Sequence, residues 1–232
     1  MRIASEGRNG RNPNRWSNLA EIWQNAMAEG LSLVKELNDI HGLAVALHYA
    51  AVLSYRERNP AEVERLASDL IELSTRQNFT HFMAVGVALR GWARSASGDT
   101  AEGISWIEEG IGDYRETGSM LDIPFLLALK AEALHLADRT SEAVAAIKEA
   151  EALVERFENR YWCAELHRLR GVFLAAMGAE ETQVEASLCA AIRIAKEQKS
   201  VSLQKRAEAT YAEYRRQKAS GSTGCGFRVP LW

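Results

Sequence analysis

The sequence predicts an all-α fold made of repeated helical hairpins, and three observations carry that prediction. Alanine, leucine, glutamate and arginine dominate its 232 residues, only four prolines interrupt them, and no long alternating runs of valine or isoleucine occur. Small and apolar residues recur at an interval of 40: Gly91 aligns with Ala51, Ala131 and Gly171, Gly110 with Ala150 and Ala190, and Leu89 with Leu129 and Leu169. A fixed period of that size is the signature of stacked supersecondary units. Helix start and stop signals also fall at matching places in successive units.

In chain order, the first helix is expected near 17–38, where Trp16, Leu19, Trp23, Ala26, Met27, Gly30 and Val34 follow three- and four-residue spacings. It has no partner before it, because "MRIASEGRNGRNPNR" carries four arginines and three asparagines with too little apolar content to pack. Residues 1–15 are therefore expected to be disordered. The first helices of the hairpins fall near 42–57, 80–97, 121–137 and 161–177, with a last one near 201–217. The second helices fall near 60–77, 100–117, 140–157 and 180–198. Asn59-Pro60-Ala61-Glu62 places a capping asparagine, a proline at the first helical position and a glutamate at the third, and Asp99-Thr100-Ala101-Glu102 repeats the signal one unit later. Gly118 stands where a left-handed residue would end a helix. The helical repeat domain is expected over 16–217. Residues 218–232 are expected to form a flexible tail, "GSTGCG" leading to an apolar end with Phe227, Leu231 and Trp232.

Gly91, Gly98, Gly103 and Gly110 are spaced by 7, 5 and 7. Small residues in these columns allow helix axes to cross closely. The spacing resembles that of the tetratricopeptide repeat, whose unit is about 34 residues, with the extra residues here lengthening the helices. The expected fold is a right-handed tetratricopeptide-like solenoid of about four hairpins. Armadillo and HEAT units have a similar period but do not explain the glycine spacing. In addition, "YWCAELHRLRGVFLAAMG" (161–178) and "YAEYRRQKASGSTGCGFRVPLW" (211–232) resemble the C-terminal helical-repeat region of large bacterial regulators. Those regulators carry a class III adenylate or guanylate cyclase or another effector domain, then an AAA-like ATPase, then the repeats. The resemblance implies a regulatory, protein-binding arm. The chain has no G-x-x-x-x-G-K-S/T loop and no length to hold a cyclase domain, so neither ATP hydrolysis nor cyclic-nucleotide synthesis carries over.

The functional expectation is thus a protein-interaction module of bacterial signalling that takes a peptide or helix in its concave groove. A small-molecule-sensing domain of the transcription-regulator type is the alternative, with a pocket converging on Trp92, Glu132 and His135. The groove side of the first helices is expected to present His48, Val52, Tyr55, Val85, Trp92, Phe125, Glu132, His135, Glu165, Arg168, Val172 and Lys205. The other reading of the same aromatics is core. Arg90, Lys130 and Arg170 occupy equivalent places in three units. They form either a cation ladder for an acidic segment or phosphate, or a solvated face with local ion pairs.

Trp16, Leu19, Trp23 and Met27 are an expected face for a second copy of the chain or an upstream domain, and Phe227, Leu231 and Trp232 are expected to dock as a cap or in a groove. The net charge of −3 points away from nucleic acid. No apolar leader or membrane-length run is present, and three cysteines without C-x-x-C spacing fit free thiols in the cytoplasm. The five histidines lack metal-ligand spacing, and no nucleophile–base pair is evident. No catalytic residue, metal or cofactor is therefore expected.

Overall fold

The computed structural model describes residues 29, 30, 32–34 and 36–220. The chain divides into two packed units, 1–46 and 47–232, with the boundary inside the first complete helix. In the first unit, helical residues run to Glu36, a turn follows with Asn38 left-handed, and Asp39 caps the next helix by accepting from the Gly42 N–H at 2.9 Å.

Among the described residues the helices are α1 (Ile40–Arg56), α2 (Pro60–Gln77), α3 (Thr80–Ala96), α4 (Thr100–Glu116), α5 (Ile123–Leu136), α6 (Thr140–Phe157), α7 (Cys163–Ala176), α8 (Glu181–Glu197) and α9 (Val201–Ala219). A single 3₁₀ turn, Arg160–Trp162, leads into α7. No strand occurs among the described residues. These are the helices that the repeat pattern places, and the chain has the tetratricopeptide-like helical-hairpin fold. The expected face at Trp16, Leu19, Trp23 and Met27, and the docking residues Phe227, Leu231 and Trp232, lie outside the described residues.

The turns repeat twice as often as the sequence columns do. Asn38, Arg58, Asn78, Gly98, Gly118, Asp138, Glu158 and Gly178 all have positive φ, one every 20 residues, and Lys199 follows after 21. At most of these turns the N–H of the residue after the left-handed one bonds back to the carbonyl five positions earlier. Examples are Asn59 to Ser54 at 3.0 Å, Asp99 to Arg94 at 3.2 Å and Ala179 to Leu174 at 3.0 Å. This closure satisfies a carbonyl that the helix end would leave bare. The same residue then opens the next helix: the Asn59 and Asp99 side chains each accept from the N–H of the third helical residue at 3.2 Å. Stop and start signals are therefore fused in a three-residue turn, which holds neighbouring helices antiparallel and close.

In the second unit, successive helices from α2 to α9 pack in order, and α3 also touches α5, α5 touches α7, and α7 touches α9. The odd-numbered helices are thus the shared row of the stack. The closest crossing is α3 on α4. A Cβ built on Gly91 would lie 2.6 Å from the Gly103 carbonyl, and one built on Gly110 would lie 2.6 Å from the Ala84 carbonyl. Here the backbones touch, and only hydrogen fits between them.

Candidate functional site

The shared row brings together residues that are far apart in the chain. Tyr55 near the end of α1, Trp92 on α3, and Phe125 and Glu132 on α5 meet in one cluster. Tyr55 packs edge-on against Trp92, with ring centroids 4.9 Å apart, and against Phe125 at 5.5 Å, while Phe125 stacks on Trp162 at 4.4 Å. At its centre lies Glu132, with no exposed surface. Its Oε1 accepts from the Tyr55 hydroxyl at 2.7 Å and from Arg58 Nη2 at 2.9 Å. Its Oε2 accepts from Trp92 Nε1 at 2.9 Å and from Arg58 Nη1. Four donors fill the four lone-pair positions of one carboxylate. Burial and the neighbouring Glu132 both push the Tyr55 hydroxyl well above its ordinary value, so it remains a donor. Burial disfavours the Arg58 charge, but Glu132 outweighs it and holds the guanidinium charged.

One hairpin along the row, a second carboxylate repeats the arrangement. Glu165 accepts from Arg168 Nε at 3.0 Å and Nη2 at 2.8 Å, with Arg206 Nη2 at 3.3 Å and Arg58 Nη2 at 3.7 Å. Arg168 is itself buried and reaches Thr210 on α9 at 3.4 Å. Burial alone would raise the Glu165 carboxyl; the Arg168 guanidinium, with Arg58 and Arg56 beyond it, outweighs that effect and holds it below the usual carboxylate value. A carboxyl depressed on folding stabilises the protein above its unfolded value and loses that contribution as pH falls through its folded value. Stability is accordingly expected to drop as pH falls below about 4.5, and in E165Q this acid slope is expected to flatten, although the variant starts less stable. Urea midpoints measured across that range check it.

The remaining expected residues are distributed as follows. Val52, Val85 and Val172 are buried in the core beside the row, and Lys205 is exposed. His48 belongs to a separate aromatic cluster, stacked on Tyr49 at 5.1 Å and edge-on to Phe82 at 6.1 Å, and burial lowers its pKa. His135 Nδ1 lies 3.0 Å from Thr140 Oγ1, and its ring packs on Phe173 at 4.9 Å.

Arg90, Lys130 and Arg170 do recur in register, but each is paired with a glutamate of the preceding even helix: Glu64 at 2.9 Å, Glu108 at 2.8 Å and Glu151 at 3.2 Å. The ladder is therefore a row of local ion pairs. Because these side chains are about a third exposed, R90A, K130A and R170A are each expected to cost no more than about 1 kcal/mol, and less in high salt. Chemical denaturation at two ionic strengths measures this.

Sequence reasoning missed Arg56, Arg58 and Arg206. The available signal was Arg58 itself, which falls in the column of Gly98, Asp138 and Gly178 and places a long cation where its equivalents are short. Away from the row, a shallow depression of about 560 Å³ lies between α6 and α7, lined by Glu151, Glu155, Glu158, Arg160, Cys163 and His167. Burial raises the Cys163 thiol above its usual value, which favours the neutral form. Among the described residues, no three His, Cys, Asp or Glu side chains come together as a metal site requires, and no helix is long and apolar enough to cross a membrane.

The fold and this polar row define a tetratricopeptide-like helical-repeat protein with a buried arginine–glutamate network. No family model matches the chain. An uncharacterised protein of Rhizobium meliloti (strain 1021) is 26% identical over 188 residues, which is 81% of this chain and 18% of that protein. The chain thus spans under a fifth of the length of that relative. Among solved structures, Bacillus thuringiensis PlcR in complex with the peptide PapR7 and DNA has a similar fold. The TM-score is 0.63 at 15% identity, covering 84% of this chain and 72% of that chain. Because that complex contains DNA as well as a peptide, the comparison lends no support to the expectation that nucleic acid plays no part.

Proposed function

We propose that the chain is a regulatory protein-interaction arm that binds a peptide or helix along the row of odd-numbered helices, and that it acts by binding rather than by catalysis. The observation that carries this reading is the row itself. Aromatic, acidic and guanidinium groups from α1, α3, α5, α7 and α9 bond to one another from hairpin to hairpin, and this closed network ties the odd-numbered helices into one continuous line along which an elongated ligand can lie. The similarity to PlcR, a fold captured with a peptide, supports it. The match to a segment of a much longer bacterial protein supports the further proposal that such an arm serves a larger regulator.

The sensor alternative loses its expected pocket, since Trp92 and Glu132 are buried against each other rather than around a cavity. A random-peptide display selection on the immobilised chain, followed by calorimetric titration of the recovered sequences, tests the reading. Saturable one-to-one binding supports it. Recovery of no binding peptide, together with a thermal shift from a small metabolite, transfers the function to the sensor.

A further inference from the structure

We propose that Arg56 is the anion-recognition residue of the odd-numbered row, with its Nε–Nη2 edge receiving a carboxylate of an incoming peptide. The inference rests on the peptide-binding reading and gives it a chemical group.

Arg56 is the last residue of α1. Its Nε and Nη2 are both buried, and neither has a hydrogen-bond partner. A guanidinium does not shed its proton in a protein, so two buried donors without acceptors are an uncompensated cost. Position at a helix C-terminus does not settle that cost, because the carbonyls at the end of α1 do not accept from these two atoms.

The pair is not arbitrary. Nε and Nη2 carry the two parallel N–H bonds that grip a carboxylate side-on, and other arginines of this chain use that same edge. Arg168 holds Glu165 on it at 3.0 and 2.8 Å, Arg139 holds Glu142 at 2.6 and 2.6 Å, and Arg65 holds Glu62 at 2.9 and 2.6 Å. In Arg56 the same edge has no acceptor.

The group is also pre-positioned. Its guanidinium carbon lies 4.9 Å from the centroid of Trp162 and 5.2 Å from that of Tyr161. Stacking there fixes the plane before any ligand arrives, so little side-chain freedom remains to be lost. Charge points the same way. Arg56, Arg58, Arg168 and Arg206 gather around the two carboxylates of Glu132 and Glu165, and Arg58 Nε is likewise buried without an acceptor. An entering anion meets net positive charge. Of the two rings against the guanidinium, Tyr161 is 55% exposed and Trp162 is buried, so a ligand reaches the edge by displacing Tyr161. A carboxylate suits this edge better than a phosphate does, because a single charge costs less to desolvate than two.

The test uses three pools of labelled, acetylated and amidated decapeptides built from Gly, Ser, Ala, Leu and Phe. Their central residue is Asp or Glu in the first, Asn or Gln in the second and phosphoserine in the third. Each pool is titrated by fluorescence anisotropy into the full chain and into R56K and R56A. The Asp/Glu pool is expected to bind, and R56K, which keeps the charge but lacks the edge, is expected to lose about tenfold or more in affinity at an unchanged melting midpoint. Equal binding of the Asp/Glu and Asn/Gln pools, or unaltered binding by R56K, overturns the role of Arg56 and leaves the peptide-binding reading standing. Tighter binding of the phosphoserine pool overturns the carboxylate assignment. Binding of none of the pools overturns both. R56K, unlike R56A, leaves no void on Trp162, so a folding defect in R56A does not blur the result.

Discussion

E132A is expected to be the most damaging single truncation in the protein, costing about 3–5 kcal/mol of folding stability. It strips the acceptor from the Tyr55 hydroxyl, from Trp92 Nε1 and from both Nη groups of Arg58 at once, all in a region closed to water. Equilibrium urea unfolding measures the loss. The double variant R58L/E132L is expected to recover much of it. A buried ion pair contributes little net stability against an apolar pair of similar volume, whereas half of one is costly. A double variant no better than E132A would mean that Tyr55 and Trp92, not the charge of Arg58, carry the penalty.

The second large effect separates two glycines on one helix. G110A is expected to destabilise the protein by about 1–3 kcal/mol, because the added methyl meets backbone that cannot rotate out of the way. It would lie 2.6 Å from the Ala84 carbonyl and 2.9 Å from the Ala88 nitrogen. G112A, two residues on, meets nothing within 4 Å and sits exposed in helical conformation. It is expected to stabilise by about 0.5–1 kcal/mol through the lower entropy of its unfolded chain. Thermal melts of the two variants side by side check both signs, and a matching sign in the two would refute the close crossing of α3 and α4.

The difference between those two glycines was partly legible in the sequence. Gly110 belongs to a column whose members, Ala150 and Ala190, are also small, and Gly112 belongs to none. The helices were legible for the same reason: periodic apolar columns and caps at Asn59 and Asp99 are local signals, and local signals survive translation into structure. The site was legible only in its inventory. Tyr55, Trp92, Phe125, Glu132, Glu165 and Arg168 were all singled out, but their destination depended on helix rotation to within about one position, since each residue turns the helix face by about 100°. Tyr55 meets Glu132 across 77 residues. Only the assembled stack settles that such groups face each other as a closed network rather than an open surface. Arg56 stayed hidden because a basic residue at a helix end already has a sufficient local reason, the helix dipole, and nothing local reports an edge left unfilled.

The left-handed residue every 20 positions has a consequence for how such a chain can change length. The same closed turn leads from an odd helix to an even one, as at Arg58, and from an even helix back to an odd one, as at Asn78, so backbone geometry at such turns would tolerate the deletion of a single helix and turn. Packing would not. Removing one such segment would bring an even-numbered helix, with Gly112, Ala152 or Leu188 where the row has Trp92, Glu132 or Arg168, into the odd-numbered series and put every later helix out of phase. Lengthening or shortening is therefore quantised: the turns count in twenties, the side chains count in forties, and only whole pairs pass both filters.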